Sequence, residues 1–287
     1  MQLRKSERKK AKIRMALQSP SGAGKTMSAL LIAKGMTGDW NKIAVIDTEN
    51  NSSDLYAHLG DFNVLQLEPP FTPERYMKAI DTCENAGMEV IIVDSVSHEW
   101  EGMGGILNVH SNMTGNSFTN WGKLTPRHNA FVQRMLQSKC HIIGTIRSKQ
   151  DYVLTENSKG KLQPEKVGLK GITRDGMDYE FTLVLELDLK HYATSTKDRT
   201  GLFMGKAPFI PTEETGKKIL DWCNEGTDLP TIRKKIKACK TLEELTATYH
   251  QYISYYDDVE EDFKAKKIAI TKLSNKKVKQ NGTAVTS

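Results

Sequence analysis

The chain reads as an α/β protein: a mostly parallel central sheet covered by helices, with an antiparallel extension and a small C-terminal helical appendage. Three observations predict this. Short β-branched apolar runs alternate with segments of helical period. A Gly-rich turn, SGAGKT (21–26 at its core SGAGKT), joins the first apolar run to the first helical one. A further apolar run, MEVIIVDS (88–95), ends on a carboxylate, Asp94.

In chain order, AKIRMALQ (11–18) predicts the first strand, and KTMSALLIAKGM (25–36) predicts a helix with Met27, Leu30, Leu31 and Met36 at helical spacing. KIAVIDTE (42–49) has strand length and composition. A helix is expected over 73–86, a strand over 88–95, a helix over 124–138 and a strand over 141–147. The alternation then stops. Segments 151–155, 179–188 and 191–196 predict strands without intervening helices, which suits antiparallel pairing. Residues 156–178, rich in Lys and Gly, predict a mobile loop. A helix over 211–226 carries Thr212 as a possible cap and Gly226 as a stop. Residues 241–273 are helical in period, with Thr241 and Glu244 spaced as a capping box. The expected organisation is a basic arm at 1–10, a core over 11–226, a helical appendage over 227–273 and a disordered basic tail over 274–287. Tyr249, Tyr252, Tyr255 and Tyr256 are expected in the appendage core.

Composition bounds the function. Apolar residues make up 38% and charged residues 26%, which suits a globular chain with a full core. No run approaches bilayer-spanning length, and MQLRKSERKKAKIR lacks the apolar stretch of a secretory signal, so no membrane role and a cytoplasmic location are expected. Four cysteines without C-x-x-C spacing predict reduced thiols and no zinc site. The net charge of +6 is uneven: residues 1–14 carry +6 and residues 227–287 carry +4, leaving the body acidic. Basic ends suit phosphate neutralisation on nucleic acid, or simply a solvated tail.

The Gly-rich turn carries the chemistry. Between strand and helix, consecutive backbone N–H groups and the positive helix end form an anion cradle. Gly22 and Gly24 let the backbone approach phosphates, Lys25 suits the β- and γ-phosphates, and Thr26 suits Mg²⁺. Ser21, Ala23 and Met27 complete the expected nucleotide contact. Ser19 stands where the phosphate-loop pattern wants a first Gly. Ser tolerates most negative-φ conformations, so the site survives if residue 19 is extended. Asp94 is expected to hold magnesium from one strand over. Two carboxylates compete as the group that orients the attacking water: Glu49, at the end of a strand, and Glu99, five residues past Asp94. Lys197 and Arg199, two apart on an expected strand, face one side.

With these residues in order, the chain resembles RecA-like ATPases over roughly 10–205. SPSGAGKT resembles their phosphate loop, VIDTENNSSDLYAHLG (45–60) the strand that ends in an acidic Glu before a helix, IIVDSVS (91–97) their magnesium strand, and TSTKDRTGLF (194–203) the late strand end that reaches a neighbouring subunit's nucleotide. In character the chain is similar to the compact RecA-like ATPases of phages and prophages associated with single-strand annealing and recombination. The resemblance implies a RecA-like P-loop NTPase fold, ATP and Mg²⁺ as cofactors, Glu49 as the water-polarising residue, and Lys197 and Arg199 acting in trans within a ring or filament. It implies a polar sensor on the fourth core strand, where this chain offers Thr145 and Arg147. It also implies single-stranded DNA along 101–120, with Phe118 and Trp121, and along 148–176, with Lys149, Lys159, Lys161, Lys166, Lys170 and Arg174. A single-strand-binding protein or annealase is an expected partner, and a phage-encoded chain would work in the bacterial host cytoplasm. The alternatives are a translocating motor, such as a helicase or packaging engine, and a regulatory ATPase of the KaiC sort without DNA.

Overall fold

The computed structural model describes the backbone of residues 11–156 and 162–281, and the side chains of these outside 150–168, 254 and 274–281. Two compact units emerge, residues 12–222 and residues 1–11 with 223–287.

In the larger unit, β1 (Arg14–Ser19) leads through the Gly-rich turn into α1 (Lys25–Thr37). Then come β2 (Ile43–Asp47), β3 (Asn63–Gln66), α2 (Pro73–Asn85) and β4 (Val90–Asp94). Two short helices, α3 (Ser97–Glu101) and α4 (Ile106–Asn112), precede the long α5 (Ser117–Leu136). The remainder is β5 (His141–Glu156), β6 (Leu162–Gly171), β7 (Leu183–Leu187), β8 (Ala193–Asp198) and α6 (Glu213–Asn224).

The strand order is β3-β2-β4-β5-β1-β7-β8, with β6 paired to β5 alone. All neighbours from β3 to β7 run parallel, and β8 is antiparallel to β7. Every residue of β2 and β4 is buried, as strands covered on both faces require. Ala16, Ala44, Ile46, Ile91, Val93 and Ile142 join the core under α2 and α5, where Tyr76 and Phe131 meet at 5.2 Å. Their neighbours along each strand, such as Leu17, Val45, Ile92 and Ile143, are equally buried and point the other way, towards α1. Gly35 of α1 and Gly216 of α6 bring these helices into backbone contact: a Cβ at Gly35 would lie 1.8 Å from the Glu213 carbonyl oxygen, and one at Gly216 2.0 Å from that of Ile32.

Several expectations are corrected. Within the segment expected as a loop over 156–178, Leu162–Gly171 form the strand β6, which pairs with an extended β5 from Ser148↔Gly171 outward. Lys159 and Lys161, with the arm at 1–10, lie outside the described residues. The helix expected after Glu49 is a 3₁₀ segment, Ser52–Leu59. α5 begins at Ser117 rather than 124, with the Asn116 side chain accepting from the Phe118 and Thr119 amides. β1 and β4 are not adjacent: β5 lies between them, so Asp94 sits two strands from the phosphate-loop strand.

The smaller unit holds α7 (Leu229–Ala238), α8 (Leu242–Gln251) and α9 (Tyr256–Asn281) around Ile232, Ile236, Leu245, Tyr252, Tyr255, Val259 and Phe263. Tyr249 and Tyr256 pack against that core half-buried. The Thr241 hydroxyl accepts from the Glu244 amide at 3.1 Å, capping α8. α9 continues to Asn281, past the boundary expected at 273, and 282–287 lie outside the described residues. Among the described residues, no helix is long and apolar enough to cross a membrane, and all four cysteines are buried and outside any disulfide.

Candidate active site

β1 stops at Ser19 and α1 starts at Lys25 because the turn between them needs conformations only glycine adopts freely. Gly22 has φ +81° and Gly24 has φ +86°. A Cβ at Gly24 would also come within 3.0 Å of the His191 Nδ1. Ser19 is the last residue of the buried strand, and among the described residues it is not one of those with positive φ. The missing first glycine therefore costs nothing in backbone strain.

Lys25 Nζ donates to the carbonyl oxygens of Ser19 (3.1 Å) and Pro20 (3.0 Å) and to the Ser19 hydroxyl (3.2 Å). Burial lowers its pKa, against the pull of the Asp94 and Glu49 carboxylates. Thr26 donates its hydroxyl to Asp94 Oδ2 at 2.6 Å. Thr145, on the intervening β5, donates to Asp94 Oδ1 at 2.5 Å. Asp94 is only 2% exposed. Burial raises its pKa in spite of those two hydrogen bonds, and the nearby Glu49 and Asp47 carboxylates push the same way. A divalent cation would reverse this balance.

The donors fit magnesium. One hydroxyl and one carboxylate are hard oxygen ligands, and magnesium takes few protein ligands, completing its shell with phosphates and water. Among the described residues no cluster of three or more His, Cys, Asp or Glu offers a competing metal cage.

These groups open onto a cavity of about 980 Å³, with Ser21, Gly22, Gly24 and Met27 also on its wall. Glu49 lines it too. Arg147 grips that carboxylate bidentately, Nε to Oε1 at 2.8 Å and Nη2 to Oε2. Burial would push Glu49 up, but hydrogen bonding and charge from Arg147 outweigh it and hold the carboxyl below its ordinary value.

Residues 11–220 match the AAA domain family AAA_24. The chain belongs to that family. No curated protein matches the sequence. Among solved structures, the chain is similar to a KaiC-like protein from the hyperthermophilic archaeon Pyrococcus horikoshii OT3, with 17% identity over 69% of this chain and 85% of that one, at a TM-score of 0.38.

Membership of the AAA domain family makes this a P-loop ATPase, built here on a mostly parallel central sheet. Within this AAA-domain protein the remaining expected residues fall in unequal places. Glu99 is 1% exposed and bound to His128 Nδ1 at 3.0 Å; it does not line the cavity. The neighbour that does is Glu101. Thr145 is fully buried behind Asp94 and supports that carboxylate instead of reaching the cavity wall. Ala23 is buried, and its carbonyl accepts from His191 Nδ1 at 3.1 Å. β2, which carries Glu49 just past its end, lies three strands from β1, not beside it.

Lys197 and Arg199 do not line this cavity. Lys197 Nζ donates to the Asp178 carbonyl at 2.8 Å and to that of Tyr179, and Arg199 Nη2 donates to Tyr179 at 3.2 Å. They share one face, at the free edge strand β8.

His191, Ile210 and Pro211 also line the wall, and sequence reasoning missed all three, as it missed Glu101. His191 sits in a turn between two strands with φ +69°. No motif marks it, because its place depends on where β7 and β8 lie relative to β1.

A second cavity, about 650 Å³, is lined by Trp100, Trp121 and Leu107 and by Lys149, Lys170 and Arg174. Trp100 and Trp121 stack at 5.8 Å, and His110 stacks on Trp121 at 4.2 Å. Glu101 and Ile172 line both cavities. Phe118 is 88% exposed on the first turn of α5. Of the other expected basic contacts, the Lys166 side chain lies outside the described residues.

Proposed function

We propose that this protein binds ATP with Mg²⁺ in the larger cavity and hydrolyses it, and that single-stranded DNA in the adjoining aromatic cleft governs the rate, in recombination, annealing or repair. The observation that carries the hydrolysis is the meeting of the Thr26 hydroxyl with Asp94 at 2.6 Å, next to Lys25 at the start of α1. Magnesium held there would neutralise charge developing on the transferred phosphoryl group. Gly22 to Gly24 present backbone amides, and Lys25 exchanges the Ser19 and Pro20 carbonyls for phosphate oxygens. Glu49 is the carboxylate on the wall placed to orient water, and Arg147 governs when it is released to do so.

The DNA reading rests on chemistry. Indole faces with cations around them suit stacked bases and a phosphate backbone. The shared wall of Glu101 and Ile172 gives the two cavities a physical route to sense one another. Lys197, half-buried near the end of the edge strand β8, and the exposed Arg199 just past it lie away from the cavity and suit completion of a second copy's site in a ring or filament.

ATP turnover titrated with single-stranded DNA, double-stranded DNA and RNA tests this. Single-stranded DNA should raise turnover several-fold, less so as salt rises, and Lys149→Glu, at an exposed position, should blunt the effect. Turnover indifferent to all three polymers would remove the DNA role; no turnover with magnesium would remove the ATPase.

A further inference from the structure

The phosphate end of the larger cavity accounts for less than half of its wall. α1 runs on from Lys25 through Met27 and Ser28 to Leu31, all of which line the cavity. Leu31 lies six residues past Lys25, about 9 Å along the helix axis. The close crossing of α1 and α6 at Gly35 and Gly216 brings the segment before α6 over this stretch, so that Ile210 and Pro211 face the same space. Ile210 is 52% exposed there, an apolar side chain with little to cover it.

His191 closes the wall from the phosphate-loop side. Its turn is tightly built: the Asp188 carboxylate accepts from the Lys190 and Tyr192 amides at 2.8 and 2.9 Å, and the His191 amide donates to the Asp188 carbonyl at 3.0 Å. The imidazole Nδ1 then donates to the Ala23 carbonyl. The ring is thereby held in a fixed orientation against the turn that cradles phosphate.

We infer that His191, Leu31, Ile210 and Pro211 form the base-binding end of the nucleotide site, holding a purine by stacking and apolar contact without reading its edge. The inference rests on the nucleotide reading above. The carboxylates on the wall, Glu49, Asp94 and Glu101, belong to the other end, with Arg147 and Thr26. The base end carries no Asp, Glu, Asn or Gln side chain among the described lining residues. The polar side chain on this stretch of α1, Ser28, ends in a hydroxyl that can donate to or accept from the edge of either purine, so the site discriminates weakly between adenine and guanine.

Calorimetry on the full chain with magnesium and three ligands, ATP, GTP and inorganic tripolyphosphate, tests this. Wild type should bind ATP at least about tenfold more tightly than tripolyphosphate, since stacking a base is worth this much or more, and GTP within about tenfold of ATP. Ile210→Asp, at an exposed position, should lose most of the advantage of ATP while keeping tripolyphosphate affinity. His191→Ala should do the same, and His191→Phe should restore it. Unchanged ATP affinity in Ile210→Asp, or rejection of GTP beyond tenfold, would overturn the base site alone. Failure of wild type to bind either ATP or tripolyphosphate would overturn the nucleotide reading and this inference with it.

Discussion

Arg147 engages both oxygens of Glu49 while its own backbone amide donates to the Ser97 hydroxyl and its carbonyl accepts from the Ile172 amide. One residue thus links the candidate water-orienting carboxylate to the base of the β5–β6 hairpin. For Glu49, burial raises the pKa and Arg147 more than offsets it. Removing the guanidinium leaves only the weaker pull of His98 and Ser95 against burial, so the carboxyl protonates at higher pH. If Glu49 must be ionised for turnover, the acid limb of the pH–rate profile in Arg147→Met should move to higher pH than in wild type. An unmoved limb would separate Glu49 from the chemistry. Lys25, Thr26 and Asp94 were legible in the sequence because a Gly-rich turn and an apolar run ending in Asp carry their geometry locally. Glu99 was not, because its burial depends on His128, on a helix 29 residues away. The same distance rule hid His191.

β8 is the free edge of the sheet, and its terminal cations are held by the 178–179 carbonyls rather than by the cavity beside α1. If a second copy completes the site, Arg199→Ala should keep ATP affinity close to wild type and lose most turnover. Mixing that variant one-to-one with inactive Lys25→Ala should recover part of the rate, since about a quarter of the composite sites would then be intact on random assembly. Full turnover by Arg199→Ala alone would exclude the trans role. At this scale the strands buried on both faces were readable from their unbroken apolar runs. β3 was not: Asn63–Gln66 is a short edge strand, with little of it buried. β6 lacks an apolar alternation and read as a loop, yet it pairs with β5 residue by residue. The helix expected over 124–138 starts earlier, at Ser117, where the Asn116 side chain caps it.

In the molecule as a whole, the candidate site gathers residues 21 to 211 of the larger unit through strand order alone. Placing β5 between β1 and β4 puts Thr145 behind Asp94 and still lets Thr26 reach that carboxylate from α1. The three-helix unit closes its own core around Tyr252 and Phe263. Sequence period marked 241–273 as helical, but placed neither α7 nor the break at Ile253–Tyr255 between α8 and α9, where a 3₁₀ turn interrupts the expected helical run. The account as a whole rests on a magnesium–triphosphate grip at the end of β1. Titration calorimetry of ATP into the full chain, with and without magnesium, reads it directly. Folded wild type should give a saturable binding heat that strengthens with magnesium, and folded Lys25→Ala should lose most of it. No heat from wild type, or equal binding by Lys25→Ala, would contradict the account.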